Sequence, residues 1–189
     1  AQEILSDFSD VGLDFWVSGY GTGGTVSGVG RVLRERSPGT KIILTEPENA
    51  ALIGSELKQD RHSDNTPATS HSSWNPHLIQ GWTPDFIPFV LQEAIDNNYF
   101  DKLLPVSGEQ GITWAKRLAR AEGIITGISG GSTFAIAMEV AKDAPPDSNI
   151  LCMLPDTGER YLSSPLFEEI PEEMTDDEKK ISLLSLIHI

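Results

Sequence analysis

Cysteine is nearly absent: Cys152 stands alone among 189 residues, so no disulfide can close within the chain. That usage fits a reducing compartment, and a cytoplasmic location is expected, with an organelle left open. Basic residues are scarce as well, 14 Lys and Arg against 28 Asp and Glu, for a formal net charge of −14. Such a chain is repelled by nucleic-acid phosphates and anionic membranes, so neither is an expected partner. Long apolar runs are missing too; none approaches the about 18–20 residues of a membrane helix. The opening residues AQEILSDFSD are polar and acidic, which argues against a secretory leader. They lack an initiator Met, and a fragment or processed product is expected.

What remains is a globular composition, 39% hydrophobic, sufficient for one ordinary domain. Asp14–Val17 reads as a short apolar strand. Thr25–Arg36 reads as a helix with Val26, Val29, Gly30 and Leu33 on one face, and Pro38-Gly39 ends it. Lys41–Thr45 is a strand whose continuous Ile-Ile-Leu centre predicts cover on both faces. Residues 58–77, rich in Ser, Asn and Asp, predict a long surface loop holding His62 and His71 with His77 at its edge; their spacing matches no zinc pattern. Gln92–Asn97 predicts a short helix, Lys102–Val106 a strand, and Glu109–Glu122 an amphipathic helix closed by Gly123. A helix opens at Ser129 and runs to about Lys142, and Asn149–Leu154 is a last strand. This alternation predicts an α/β fold of three layers, αβα, on a mostly parallel sheet. Cys152 lies in the apolar run Ile150–Leu154 and reads as a buried structural thiol.

Glu168, Glu169, Glu172, Glu173, Asp176, Asp177 and Glu178 crowd the end of the chain, and a solvated acidic tail is the expected form. Residues 171–189 are therefore read as an irregular tail, of which 182–189, SLLSLIHI, is expected to lie apart from the native fold.

The chemical signal is Gly19-Tyr-Gly21-Thr22-Gly23-Gly24-Thr25, placed between a strand and a helix. Glycines admit close backbone approach and positive φ, and the helix start presents N–H groups and the positive end of its dipole. Thr22 and Thr25 add hydroxyls. The loop is an anion cradle. Its spacing leaves the anion open: Gly19, Gly21 and Gly24 satisfy G-x-G-x-x-G, and Glu46 stands where a ribose-binding acid would be in a dinucleotide-dependent oxidoreductase. A phosphate loop with Gly-Lys-Ser/Thr is excluded. Ser129, by position alone, reads as an ordinary helix N-cap.

Four ordered blocks choose between these readings: VSGYGTGGTVSGVGRVLRERSPGTKIILTEP (17–47), HLIQGWTPDFIP (77–88), EGIITGISGGSTFAIA (122–137) and LPDTGERYLS (154–163). Together they resemble cysteine synthases (O-acetylserine sulfhydrylases) and cystathionine β-synthases, pyridoxal-phosphate enzymes of fold type II with a tryptophan synthase β-like fold. The resemblance implies that residues 1–170 are the C-terminal part of the large cofactor-binding domain, so the fold is incomplete. It implies that Gly21, Thr22, Gly23, Gly24 and Thr25 hold the phosphate of pyridoxal phosphate, and that Ser129 faces the ring nitrogen. Asp156 is placed near the ring, and Gln80 and Gly81 at the substrate entrance. Glu159 and Arg160 are expected to form a structural ion network. Family members typically read Gly-Ile-Ser-Ser-Gly where this chain has Gly127-Ile-Ser-Gly130-Gly131, a departure that falls after the ring-binding position.

The implied reaction is β-replacement through a bound aminoacrylate, forming L-cysteine from O-acetylserine and sulfide. Cystathionine β-synthase or serine/threonine dehydratase activity is the alternative within the same fold. A homodimer and an association with serine acetyltransferase are implied for the full-length protein. The family's Schiff-base lysine sits in a Ser-x-Lys-Asp segment, and Lys41, Lys58, Lys102, Lys116, Lys142, Lys179 and Lys180 all lack that context. No catalytic residue is therefore assigned in this chain, and the chain alone is expected to be inactive.

Overall fold

The computed structural model describes residues 1–171 and 173–185. Four strands, β1 (Phe15–Gly19), β2 (Lys41–Pro47), β3 (Lys102–Val106) and β4 (Ile150–Cys152), form one sheet in the order β3-β2-β1-β4, and every pairing within it is parallel. Phe15 pairs with Lys41 on one side of β1 and with Ile150 on the other, so β1 and β2 lie buried within the sheet.

Side-chain alternation assigns the layers. Trp16, Ile42 and Leu44 point to one face, where they meet Val26, Val29 and Leu33 of helix α2 (Gly24–Arg36) and Leu91 and Ala94 of α3 (Phe89–Asp96). Val17 and Ile43 point to the other, against Ala115 of α4 (Gly108–Glu122) and Ile128 and Ile136 of α5 (Ile128–Asp143). Period-2 alternation with apolar residues on both sides requires helices on both sides, which gives the expected three layers. Helix α4 opens on a capping box, Ser107 with Gln110, and closes on Gly123 at φ +71. Helices α4 and α5 pack closely because glycines face each other: a Cβ on Gly131 would lie 2.1 Å from the Gly111 carbonyl oxygen.

Two helices escape the sequence pattern. Short α1 (Gln2–Asp7) has no side-chain cap and rests Ile4 and Leu5 on the Trp16 cluster. The expected irregular tail is instead helical over Asp176–Ser185, α6. Thr175 and Glu178 cap it reciprocally, the Thr175 amide donating to the Glu178 carboxylate (2.7 Å) and the Glu178 amide to Thr175 Oγ1 (3.3 Å). Residue 172 and residues 186–189 of the expected tail lie outside the described residues. The cap of α5 is Gly127, two residues earlier than the predicted Ser129, which therefore sits inside the helix.

The loop 58–77 is largely exposed coil, pinned by Arg61 Nη2 on the Ile87 carbonyl at 2.6 Å. His71 departs from the surface placement expected of it. It is buried, its Nδ1 accepting from the Ser73 amide (3.2 Å) and its Nε2 donating to the Leu57 carbonyl (3.1 Å), so it is a structural strut of the loop. No described helix is long and apolar enough to cross a membrane.

Leu44 is fully buried between sheet and helices. Leu44→Ala is expected to destabilise the chain by about 2–5 kcal/mol, read as a lower urea midpoint at unchanged slope.

Candidate functional site

The glycine-rich loop begins where β1 ends. Gly23 is the N-cap of α2, at φ +90, and no side chain caps that helix end. Its amide groups are left for a ligand, as an anion site requires. Two glycines are demanded by close contacts: a Cβ on Gly23 would meet the Leu91 backbone at 2.6 Å, and one on Gly21 would lie 2.6 Å from the Gly81 carbonyl oxygen. Gly24 is different. The nearest atom to a Cβ there is Thr22 Oγ1 at 3.9 Å, so its bare backbone keeps open the space ahead of the helix. Thr22 and Thr25 are exposed beside that space.

The loop forms one wall of a cleft of about 410 Å³ beyond the carboxyl ends of β1 and β4, where the strand order reverses direction. All the expected site residues converge on it: Gly21–Thr25, Gln80, Gly81, Ser129 and Asp156. Ser129 comes from the first turn of α5 and is 2% exposed. One turn on, Thr133 also lines the cleft, its hydroxyl tied to the Ser129 carbonyl at 3.0 Å. Gly130 explains the departure from the family pattern: a Cβ there would lie 2.0 Å from Thr126 Oγ1, which itself donates to the Asp156 carbonyl.

Asp156 holds the site together. One carboxylate oxygen accepts the Gly127 amide (3.2 Å) at the start of α5, and the other accepts the Tyr161 hydroxyl. A carboxylate suits this end of a helix dipole. Burial, with the hydrogen bond to Asp156 and its charge, pushes Tyr161 up to about 12.

Glu46 lies apart from the cleft lining, against its role in a dinucleotide site. Its carboxylate is buried and accepts from Tyr20 Oη (2.5 Å), the Gly54 amide (2.8 Å) and the Ile53 amide (3.1 Å). Burial raises its pKa, against the pull of these donors. Burial, then the Glu46 charge, raises that of Tyr20. The pair braces the loop from behind. The expected Glu159–Arg160 network is not formed: no ion pair joins them among the described residues, and Arg160 lines the cleft instead. Cys152 is half-buried in β4, and burial raises its thiol, as befits an inert residue. None of the seven lysines lines the cleft. The described residues form no His, Cys, Asp or Glu group suited to a metal ion.

Several lining residues were not assigned to the site from sequence, among them Tyr20, Trp82, Thr133 and Tyr161. Helical spacing from Ser129 would have found Thr133. Trp82 and Tyr161 sit inside the quoted blocks but have no polar partner in sequence to single them out.

A strand-end cleft with an uncapped, glycine-lined helix start defines a phosphate-binding α/β protein. The chain belongs to the pyridoxal-phosphate dependent enzyme family, which it matches over residues 1–156. It is 40% identical over 176 residues to an O-ureido-L-serine synthase of Streptomyces lavendulae, covering 93% of this chain and 48% of that one. It is 34% identical over 165 residues to a cysteine synthase of Staphylococcus aureus, covering 87% and 47%. Among solved structures, a cysteine synthase of Entamoeba histolytica aligns at TM-score 0.72 with 32% identity, covering 97% of this chain and 48% of that one. An O-ureido-L-serine synthase structure aligns at 0.78 with 39% identity, covering 97% and 50%. The fold is that of the fold type II enzymes, and the chain spans about half the length of the curated relatives it matches. The residues fit the family's cofactor. Gly24 leaves room for a phosphate at the helix start, and the Ser129 hydroxyl sits deep in the same cleft.

Tyr161 gives a pH signature. A raised phenol stabilises the fold fully below its ordinary value of 10 and loses that contribution as pH climbs through about 12. In denaturation between those limits, the chain is expected to lose more stability than Tyr161→Phe. Separately, Gly23→Ala is expected to lower the thermal midpoint, since it forces a Cβ both onto positive φ and into Leu91.

Proposed function

We propose that residues 1–170 are the C-terminal part of the large domain of a cysteine synthase, which joins O-acetylserine and sulfide into L-cysteine by β-replacement. The observation carrying this reading is the convergence of the glycine-rich loop, Ser129, Asp156 and the Gln80–Gly81 segment on one cleft. Pyridoxal phosphate, when bound, supplies the electron sink for loss of the β-leaving group. The chain's own residues do the positioning. The α2 amides with Thr22 and Thr25 hold the phosphate. Ser129 offers the ring nitrogen a neutral hydroxyl rather than a carboxylate, which disfavours a fully protonated ring and so favours elimination over other fates. Asp156 and Tyr161 fix the start of α5, and with it Ser129, while Gln80 and Gly81 border substrate entry. The Schiff-base lysine comes from outside these 189 residues, consistent with lysines that all avoid the cleft. A homodimer and docking of serine acetyltransferase belong to the same reading.

A second reading rests on the 40% identity to an O-ureido-L-serine synthase. There β-replacement would take hydroxyurea in place of sulfide at the same cleft.

The test is turnover of the complete enzyme with O-acetylserine and, in turn, sulfide, homocysteine and hydroxyurea. The highest kcat/KM is expected with sulfide. Preference for homocysteine or hydroxyurea, or release of pyruvate without a nucleophile, would replace the reading. The isolated 189-residue chain, mixed with pyridoxal phosphate and borohydride, is expected to show no pyridoxyl-lysine at a stoichiometric level by mass spectrometry.

A further inference from the structure

Trp82 follows the Gln80–Gly81 segment, and it carries the largest side chain of the cleft lining. It is 9% exposed, so its ring is held rather than free. Two unusual backbone features hold it. At the end of β1, Gly19 leaves the room: a Cβ there would lie 2.0 Å from Cζ2 and 2.1 Å from Cε2 of Trp82. The indole therefore rests on bare backbone, and any side chain at position 19 would drive it out.

On the other side stands Thr83, with φ +43. A β-branched residue rarely enters that region, and such outliers persist only where the surroundings over-determine them. The surroundings do so here. The Thr83 amide donates to the Tyr20 carbonyl at 3.0 Å. The Thr83 carbonyl accepts from Trp74 Nε1 (3.0 Å) and from His77 Nε2 (3.3 Å). Facing a carbonyl, His77 Nε2 carries the ring proton. The Thr83 hydroxyl is buried and finds no partner among the described residues. A strained, cross-tied residue directly after the bulkiest wall of the cleft gives that wall one position.

We infer that Trp82 is a specificity-determining residue: its ring narrows the cleft so that a nucleophile of the sulfide class enters and an amino-acid thiol does not. The inference rests on the β-replacement reading. The cleft must hold the cofactor with its amino acid before any nucleophile arrives, so the bulk of this wall decides what space is left.

The test uses the complete enzyme with pyridoxal phosphate bound, as wild type, Trp82→Ala and Trp82→Phe. Calorimetry measures affinity for L-cysteine and for L-cystathionine, the product that carries a second amino-acid unit. In Trp82→Ala, cystathionine is expected to bind at least about tenfold tighter while cysteine moves within about threefold, with Trp82→Phe between. The kcat/KM ratio of homocysteine to sulfide should rise in the same order. Equal shifts for both products, or no shift in either, would overturn the role of Trp82. Should Trp82→Ala not fold, the ratio in Trp82→Phe decides: a rise supports the inference and an unchanged ratio sinks it. Wild-type turnover with sulfide separates the two levels. If it is absent, the β-replacement reading falls and this inference with it; if it is present with an unchanged ratio, only the role of Trp82 falls.

Discussion

The bare amino terminus of α2 is the constraint to which the rest of the structure answers. A helix start carries unpaired amides and a partial positive charge, and in most proteins a side chain satisfies them at once. Here Gly23 occupies the cap with no side chain to offer, and Gly24 keeps the ground ahead of it clear. The arrangement is stable only if something else holds the loop. The Gly21 backbone lies against the Gly81 carbonyl, Gly23 packs on Leu91, and Tyr20 is pinned by Glu46. The loop's shape is thus supplied by its neighbours, while no side chain caps the helix start.

A second helix start repeats the problem and solves it differently. Helix α5 brings Ser129 to the cleft and is deeply buried along its first turns. Its own cap is again glycine, and Asp156 serves it from across the cleft, sharing its carboxylate between Gly127 and Tyr161. Ser129 is thereby placed by a residue 27 positions on, through hydrogen bonds and not through its own capping. Gly130 and Gly131 let Thr126 and α4 come close enough to keep the turn rigid. The two helix starts, one without a side-chain cap and one served by Asp156, face a common space at the strand ends.

That space gathers glycine-loop amides, hydroxyls and one carboxylate at the strand ends, and no lysine lines it. The chain provides what would orient a phosphate and a ring, and its lysines all lie elsewhere. Its similarity to relatives roughly twice its length makes that division intelligible. Relatives named for different products share the fold, so the scaffold alone does not fix the substrate. Trp82, seated on Gly19, is the bulkiest side chain of the cleft lining.

Much was legible in the sequence because it depends on local physics. The Ile-Ile-Leu run of β2, the apolar stripe of α2, Gly123 as a helix stop and the glycine-rich anion cradle all follow from periodicity and backbone freedom. So does the three-layer α/β class, since strands apolar on both sides need helices on both sides. Helix α6 was not legible in this way: its cap, Thr175 with Glu178, lies within an acidic run that reads as a solvated tail. What tertiary structure alone decided were relations between distant segments. Nothing near Glu46 shows that its partners are Tyr20 and Gly54 rather than a ribose. Nothing near Ser129 shows that Asp156 stabilises its helix, nor does the loop around His71 show that the ring is buried. The physical reason is common to all three: a side chain's charge and hydrogen bonds are settled by whichever groups the packed sheet brings within reach, and the order of residues does not carry those distances.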